Sequence, residues 1–148
     1  MLKQILRDNM IETDVDVNNW KEAIEAGGSI LEKNQIITHD YTESMIESVK
    51  KYGPYIVIAP GIALAHGTPN KGVHKVGVSI TTLKHPVLFG HDRNDPVQIV
   101  ITLAAIDHDS HMEALSSLAK LLAKEEFINV LHKQNKKEII QYIQTSNT

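Results

Sequence analysis

The sequence predicts an α/β fold, a single layered domain with a mixed β-sheet flanked by helices on both faces. Three observations lead there. Apolar residues recur at helical spacing towards both ends of the chain. Short runs rich in β-branched residues fill its middle, and 148 residues suffice for one domain with one substantial core.

The N-terminal third reads as helix. Asn18 is a cap for a helix carrying Trp20, Ile24 and Leu31, and Gly27-Gly28 is expected to loosen or break it. A second helix runs from Asp40 or Thr42 to Lys51, with Met45, Ile46 and Val49 as its apolar stripe and Gly53-Pro54 as its stop. Tyr55-Ile56-Val57-Ile58, bounded by Pro54 and Pro60, reads as a buried strand, and Ile62-Ala63-Leu64 as another. The alternating run Val76 to Leu83 is a strand, and Val87-Leu88-Phe89 is a short separate one. Gly90 to Pro96 is a polar turn. Val97 to Ala105 is nearly all apolar and reads as a central strand buried on both faces.

Helix then returns. Ser110 or Asp109 is read as the cap, with Glu113 placed as in a capping box and Leu115, Leu118, Leu121 and Leu122 on one side. Glu125 to His132 and Lys136 to Ile143 form two further helices, and Thr145 to Thr148 is expected to fray.

Composition narrows the function. The net charge of -3 gives no basic surplus for nucleic acid. No apolar run approaches the ~18 residues of a membrane span, and the start lacks a signal peptide's apolar stretch. Cysteine is absent, which removes disulfides and thiolate chemistry. These features lead to the expectation of a cytoplasmic protein without membrane insertion. No Walker loop, Rossmann fingerprint or serine-nucleophile motif occurs.

Histidine is the unusual component, with eight residues at 39, 66, 74, 85, 91, 108, 111 and 132. His66 follows a strand, between Gly61 and the turn Gly67-Thr68-Pro69, and no charged residue lies from Pro54 to Pro69. A strand-end loop with backbone N–H groups nearby suits a reactive side chain, and an imidazole with a reference pKa of about 6.5 is a nucleophile near neutrality. A plain turn histidine is the alternative. His108 and His111, in Asp107-His108-Asp109-Ser110-His111, fall where the central strand ends and a helix begins. Helix N-termini and the carboxyl ends of strands favour anions, so His111 is placed where a phosphoryl group is welcome. Two exposed first-turn histidines are the alternative there. Gly67, Thr68 and Ser110 are candidate phosphate-binding residues. A metal site formed by His66, His108 and His111, with Asp107 or Asp109, is a third possibility, but no spacing such as His-Glu-x-x-His supports it, and neither a metal nor a cofactor is expected. Lys71, His74 and Lys75 are a possible basic rim near His66, though a solvated loop explains them as simply.

The run Gly53-Pro54-Tyr55-Ile56-Val57-Ile58-Ala59-Pro60-Gly61-Ile62-Ala63-Leu64-Ala65-His66 resembles the active-site segment of enzyme IIA components of the sugar phosphotransferase system. It looks like the mannitol/fructose superfamily and most like its ascorbate-type branch. Asp95-Pro96-Val97, Leu103-Ala104-Ala105 and His111-Met112 match a second motif, and Trp20 to Ile24 and the Tyr41 to Lys51 helix also fit. The resemblance implies that His66 is the phosphorylated residue and His111 the partner that contacts the phosphoryl group. It implies a histidine-containing phosphocarrier protein as donor and a IIB component of a membrane permease as acceptor, with a lean towards ascorbate. A regulatory IIA-like binding module is the alternative, and a homo-oligomer is left open. Two positions depart from the pattern. Ala65 stands where the family usually has proline, and Lys50 and Lys51 lie where mannitol-type members carry an arginine.

Overall fold

The computed structural model describes residues 2–68 and 72–146. Helix α1 (Leu2–Ile5) and a 3-10 turn (Asp8–Met10) lead into strand β1 (Ile11–Val15). Helices α2 (Trp20–Lys33) and α3 (His39–Tyr52) follow, then strands β2 (Val57–Ala59), β3 (Ile62–Ala65), β4 (Gly77–Val87) and β5 (Val97–Ala104). Helices α4 (His108–Leu122), α5 (Glu125–His132) and α6 (Lys136–Thr145) close the chain. The five strands lie in the order β1-β4-β5-β3-β2. β4 is antiparallel to β5 and β2 to β3, whereas β1 is parallel to β4 and β3 to β5. The sheet is therefore mixed. β5 sits at its centre, and every β5 residue but Gln98 is buried, as its unbroken apolar run predicts.

Helices cover both faces, as strand alternation shows. Ser79 donates its hydroxyl to the Gly27 carbonyl of α2 at 3.0 Å, so Ser79, Thr81 and Thr102 face α2. Thr82 points the other way, and its hydroxyl donates to Gln134 Oε1 at 2.9 Å, just after α5. Gln134 Nε2 in turn donates to the Leu83 carbonyl at 3.0 Å. Among the described residues, no helix is long and apolar enough to cross a membrane.

The structure differs from the sequence reading at several elements. β1 replaces part of the expected N-terminal helix. It is an edge strand with only Ile11 fully buried, so its apolar alternation is weak. Val87 belongs to β4 rather than to a separate strand. The segment from Tyr55 is a turn up to Val57, and β2 is an edge strand whose Ile58 is 47% exposed. The cap of α2 is Asn19, which accepts the Glu22 N–H, while the Glu22 carboxylate accepts the Asn18 N–H. α6 continues to Thr145, and residues 147–148 lie outside the described residues.

Gly27 and Gly28 do not break α2. Both are buried and let the helix lie against β-strand and α3 hydroxyls: a Cβ at Gly27 would overlap Thr102 Oγ1, and one at Gly28 would collide with Thr42. This contact outweighs the ~1 kcal/mol by which glycine disfavours a helix relative to alanine. The Thr102 hydroxyl is buried without a hydrogen-bond partner. Gly27→Ala is therefore expected to lower stability by about 1–3 kcal/mol in a denaturant melt. Adding Thr102→Ala removes the obstructing oxygen and is expected to restore stability to wild type or above.

Candidate functional site

The parallel pairing of β3 and β5 builds the site. Ala65 aligns with Thr102, so both strands end on the same edge of the sheet. The chain leaves β3 directly into His66, and leaves β5 through a short link into the first turn of α4. His66 and His111, distant in sequence, thereby meet with ring centroids 5.8 Å apart and planes inclined at 46°. Tyr55 approaches His66 from a third direction, edge to face at 5.9 Å between centroids. Both histidines are half-buried.

The His66 ring is held by its own backbone. Nδ1 lies 2.7 Å from the Leu64 carbonyl oxygen, two residues back. A carbonyl only accepts, so Nδ1 carries the proton and donates it. In the neutral imidazole Nε2 then holds the lone pair. His111 has its pKa lowered, first by burial and then by the nearby His66 and His108, so it is neutral near pH 7. A neutral imidazole keeps one N–H to donate.

The first turn of α4 is fixed by a capping box centred on Asp107, not on Asp109 or Ser110. The Asp107 carboxylate accepts the Ser110 N–H at 2.8 Å, and Ser110 Oγ accepts the Asp107 N–H at 3.3 Å. These bonds hold the Asp107 carboxyl below the usual carboxylate range. They also commit Ser110 to the cap, which leaves the first-turn N–H groups of His108 and Asp109 directed off the helix end. The Gly67 N–H is likewise engaged, donating to the Tyr41 hydroxyl at 3.0 Å. Thr68 is exposed beside it.

Of the remaining histidines, His108 adjoins His111 in the first turn of α4, and the others lie elsewhere. His39 bridges Glu32 and Glu43, and those carboxylates raise its pKa. His91 Nδ1 accepts the Arg93 and Asn94 N–H groups within the β4–β5 turn. His74, His85, His108 and His132 are exposed. Among the described residues no group of three or more His, Asp or Glu side chains is arranged to hold a metal. Lys50 pairs with Glu47, and Lys51 lies over the Tyr52 ring, so neither is bound to His66. His74 and Lys75 are exposed, and Lys71 lies outside the described residues.

The sequence reading missed the Tyr55 ring and the Tyr41 hydroxyl. The sequence places Tyr55 at the head of a buried strand, whereas the turn before β2 leaves it 45% exposed against His66. Tyr41 sits on the buried face of α3, where a phenol reads as core and nothing in the periodicity indicates its polar partners.

The family model for the EIIA 2 component of the phosphoenolpyruvate-dependent sugar phosphotransferase system matches residues 4–146. The chain belongs to this EIIA family. The ascorbate-specific EIIA component of Escherichia coli K12 is 36% identical to it over 149 residues, covering 96% of this chain and 97% of the relative. The solution structure of the mannitol-specific cryptic phosphotransferase enzyme IIA of E. coli superposes on this EIIA with a TM-score of 0.89 at 31% identity, covering 98% and 99% of the two chains. The mannitol enzyme IIA of E. coli, solved in complex with phosphorylated enzyme IIB, shares the fold at a TM-score of 0.82 and 24% identity, over 96% of this chain and all of the other. The mixed sheet and flanking helices are thus those of the family.

Proposed function

We propose that this EIIA is a cytoplasmic phosphocarrier in which His66 Nε2 takes a phosphoryl group from a histidine-containing phosphocarrier protein and passes it to a IIB component of a membrane permease. The observation that carries the reading is the Nδ1–H bond to the Leu64 carbonyl, which leaves Nε2 as the lone-pair nitrogen of a ring whose centroid is 5.8 Å from that of His111. The full-length likeness to an ascorbate-specific relative supports ascorbate as the sugar, and the complex solved for the mannitol relative supports a IIB acceptor.

The relay needs little chemistry beyond positioning and charge stabilisation. The Nε2 lone pair attacks phosphorus, the donor's N–P bond breaks, and its electron pair returns to the donor imidazole. His66 becomes a phosphoimidazolium because Nδ1 keeps its proton on Leu64. In onward transfer a nucleophilic side chain of the IIB component bonds to phosphorus through its lone pair as the Nε2–P bond breaks, the pair returns to Nε2 and His66 leaves as neutral imidazole. No proton crosses Nδ1 in either direction, and the retained proton keeps His66 a good leaving group. His111 donates a hydrogen bond to an equatorial phosphoryl oxygen, and the free N–H groups at the α4 terminus add favourable potential.

Phosphorylated EIIA should carry an acid-labile, alkali-stable N–P bond at His66 Nε2, seen by nitrogen and phosphorus NMR, and should pass it to an ascorbate-class IIB. Phosphorylation at Nδ1 would overturn the tautomer argument. Uptake without transfer to any IIB, together with phosphorylation-dependent binding to another protein, would make this EIIA a regulatory module.

A further inference from the structure

Tyr41 lies on α3, outside the segments that carry His66 and His111, and is 1% exposed. Its ring fills core space that a phenylalanine would fill equally well. The hydroxyl is the unexplained part, because a buried hydroxyl costs free energy unless it is hydrogen-bonded. It has two partners: it accepts the Gly67 N–H at 3.0 Å and donates to the Leu103 carbonyl at 3.4 Å.

The sheet register gives those partners a meaning. β3 and β5 are parallel, with Ala63 opposite Val100 and Ala65 opposite Thr102. At its start the Gly61 carbonyl accepts both the Gln98 N–H at 2.9 Å and the Ile99 N–H at 3.1 Å, and the Ile62–Ile99 pairing makes the Ile99 bond the one that sets the phase of the ladder. Continued past Ala65 in that phase, the next rung would join the Gly67 N–H directly to the Leu103 carbonyl. The Tyr41 oxygen occupies that rung. Two groups that would otherwise bond to each other are held apart by one hydroxyl.

We propose that Tyr41 is a positioning residue that ends the β3–β5 pairing after Ala65 and holds the His66–Gly67 segment off β5, so that the His66 ring stands between Tyr55 and His111. This rests on the phosphocarrier reading of His66 and deepens it. It also gives the Gly67 N–H a structural task in place of direct phosphate binding. Burial raises the Tyr41 pKa, so the phenol stays protonated and able both to donate and to accept. Without the hydroxyl, Gly67 either closes onto Leu103 or is left unpaired, and both outcomes move His66 relative to His111.

The test is Tyr41→Phe, assayed for phosphoryl uptake from the phosphorylated carrier well below its melting temperature. The expected result is a fall in kcat of roughly ten- to hundredfold with the donor KM unchanged, since displacement by a fraction of an ångström costs rate rather than docking. The Gly67 amide resonance should shift and contacts between the His66 and His111 rings should weaken in nuclear Overhauser spectra. A variant that melts earlier but keeps kcat within about twofold would make Tyr41 merely structural and overturn the proposal. Faster uptake or a longer-lived phosphohistidine would also overturn it, by showing that the freed Gly67 N–H serves phosphate. If wild-type EIIA takes up no phosphoryl group, the phosphocarrier reading fails, and the ring contacts in Tyr41→Phe alone decide the positioning claim. If Tyr41→Phe does not fold, the wild-type protein decides it: a slowly exchanging Tyr41 hydroxyl proton close to the Gly67 amide is expected, and its absence overturns the proposal.

Discussion

His66→Ala should take up no phosphoryl group from the phosphorylated carrier, while folding and melting much as wild type does. The expectation of complete loss follows from how the other histidines are placed. His39 is flanked by two carboxylates, which would repel a phosphoryl dianion, and His91 Nδ1 already accepts two backbone N–H groups. His74, His85, His108 and His132 are exposed and lack the ring partners that surround His66. His111 is the remaining candidate, but among the described residues no carbonyl is hydrogen-bonded to its ring to fix a tautomer as Leu64 does for His66. Stability should change by about 1 kcal/mol or less, because the side chain is half-buried and its hydrogen bond to Leu64 is local, to its own strand end. Intact-mass analysis at neutral or alkaline pH after incubation with the donor reads the result directly. Uptake at the wild-type rate by His66→Ala would refute the assignment. His66→Asn, whose amide N–H can take the place of Nδ1–H on the Leu64 carbonyl but which has no nucleophilic lone pair, should be equally inactive and so separate chemistry from shape.

How much of this was legible in the sequence depended on whether the decisive interaction was local. β5 was clear because its residues are apolar on both faces, and only a central strand has use for that. α3 and its stop were clear because Gly53, at φ 87°, supplies the backbone conformation that ends the helix and donates its N–H to Val49. β1 was not, because an edge strand buries so little that its alternation fades into polar sequence. The glycines of α2 defy local reading for the opposite reason: local propensity disfavours them, and the contacts that require them lie on β5 and α3. The site divides the same way. His66 and His111 could each be placed at a strand or helix end from their neighbours. That the two rings meet is a consequence of the parallel β3–β5 register, which no spacing in the sequence encodes. Gly67 and Ser110 carry N–H groups of the expected kind at the expected ends, but Tyr41 and Asp107 take them.

His111→Ala should slow phosphoryl uptake by about ten- to hundredfold without abolishing it. A charge-assisted hydrogen bond to phosphate contributes about 1.5–3 kcal/mol, and each 1.4 kcal/mol is tenfold in rate. The pH dependence distinguishes this hydrogen bond from a packing role. Burial and the two neighbouring histidines lower the His111 pKa in the folded protein below its ordinary 6.5. The folded state therefore resists protonating it. Above pH 6.5 this makes no difference, since His111 is neutral folded or unfolded; below 6.5 the unfolded chain binds the proton more readily, and stability falls as pH drops through that window. His111→Ala should lose that part of the acid sensitivity. Phosphorylation reverses the local balance: a dianion on His66 favours the imidazolium of His111, raises its pKa and draws in a proton near neutral pH. Histidine resonances titrated before and after phosphorylation should show His111 moving up. A His111 pKa unchanged by phosphorylation would mean that the ring does not touch the phosphoryl group, whatever the rate of the alanine variant. His111→Gln retains a donor but cannot charge. It should recover part of the rate with a flatter pH profile, which separates hydrogen-bond donation from the imidazolium charge.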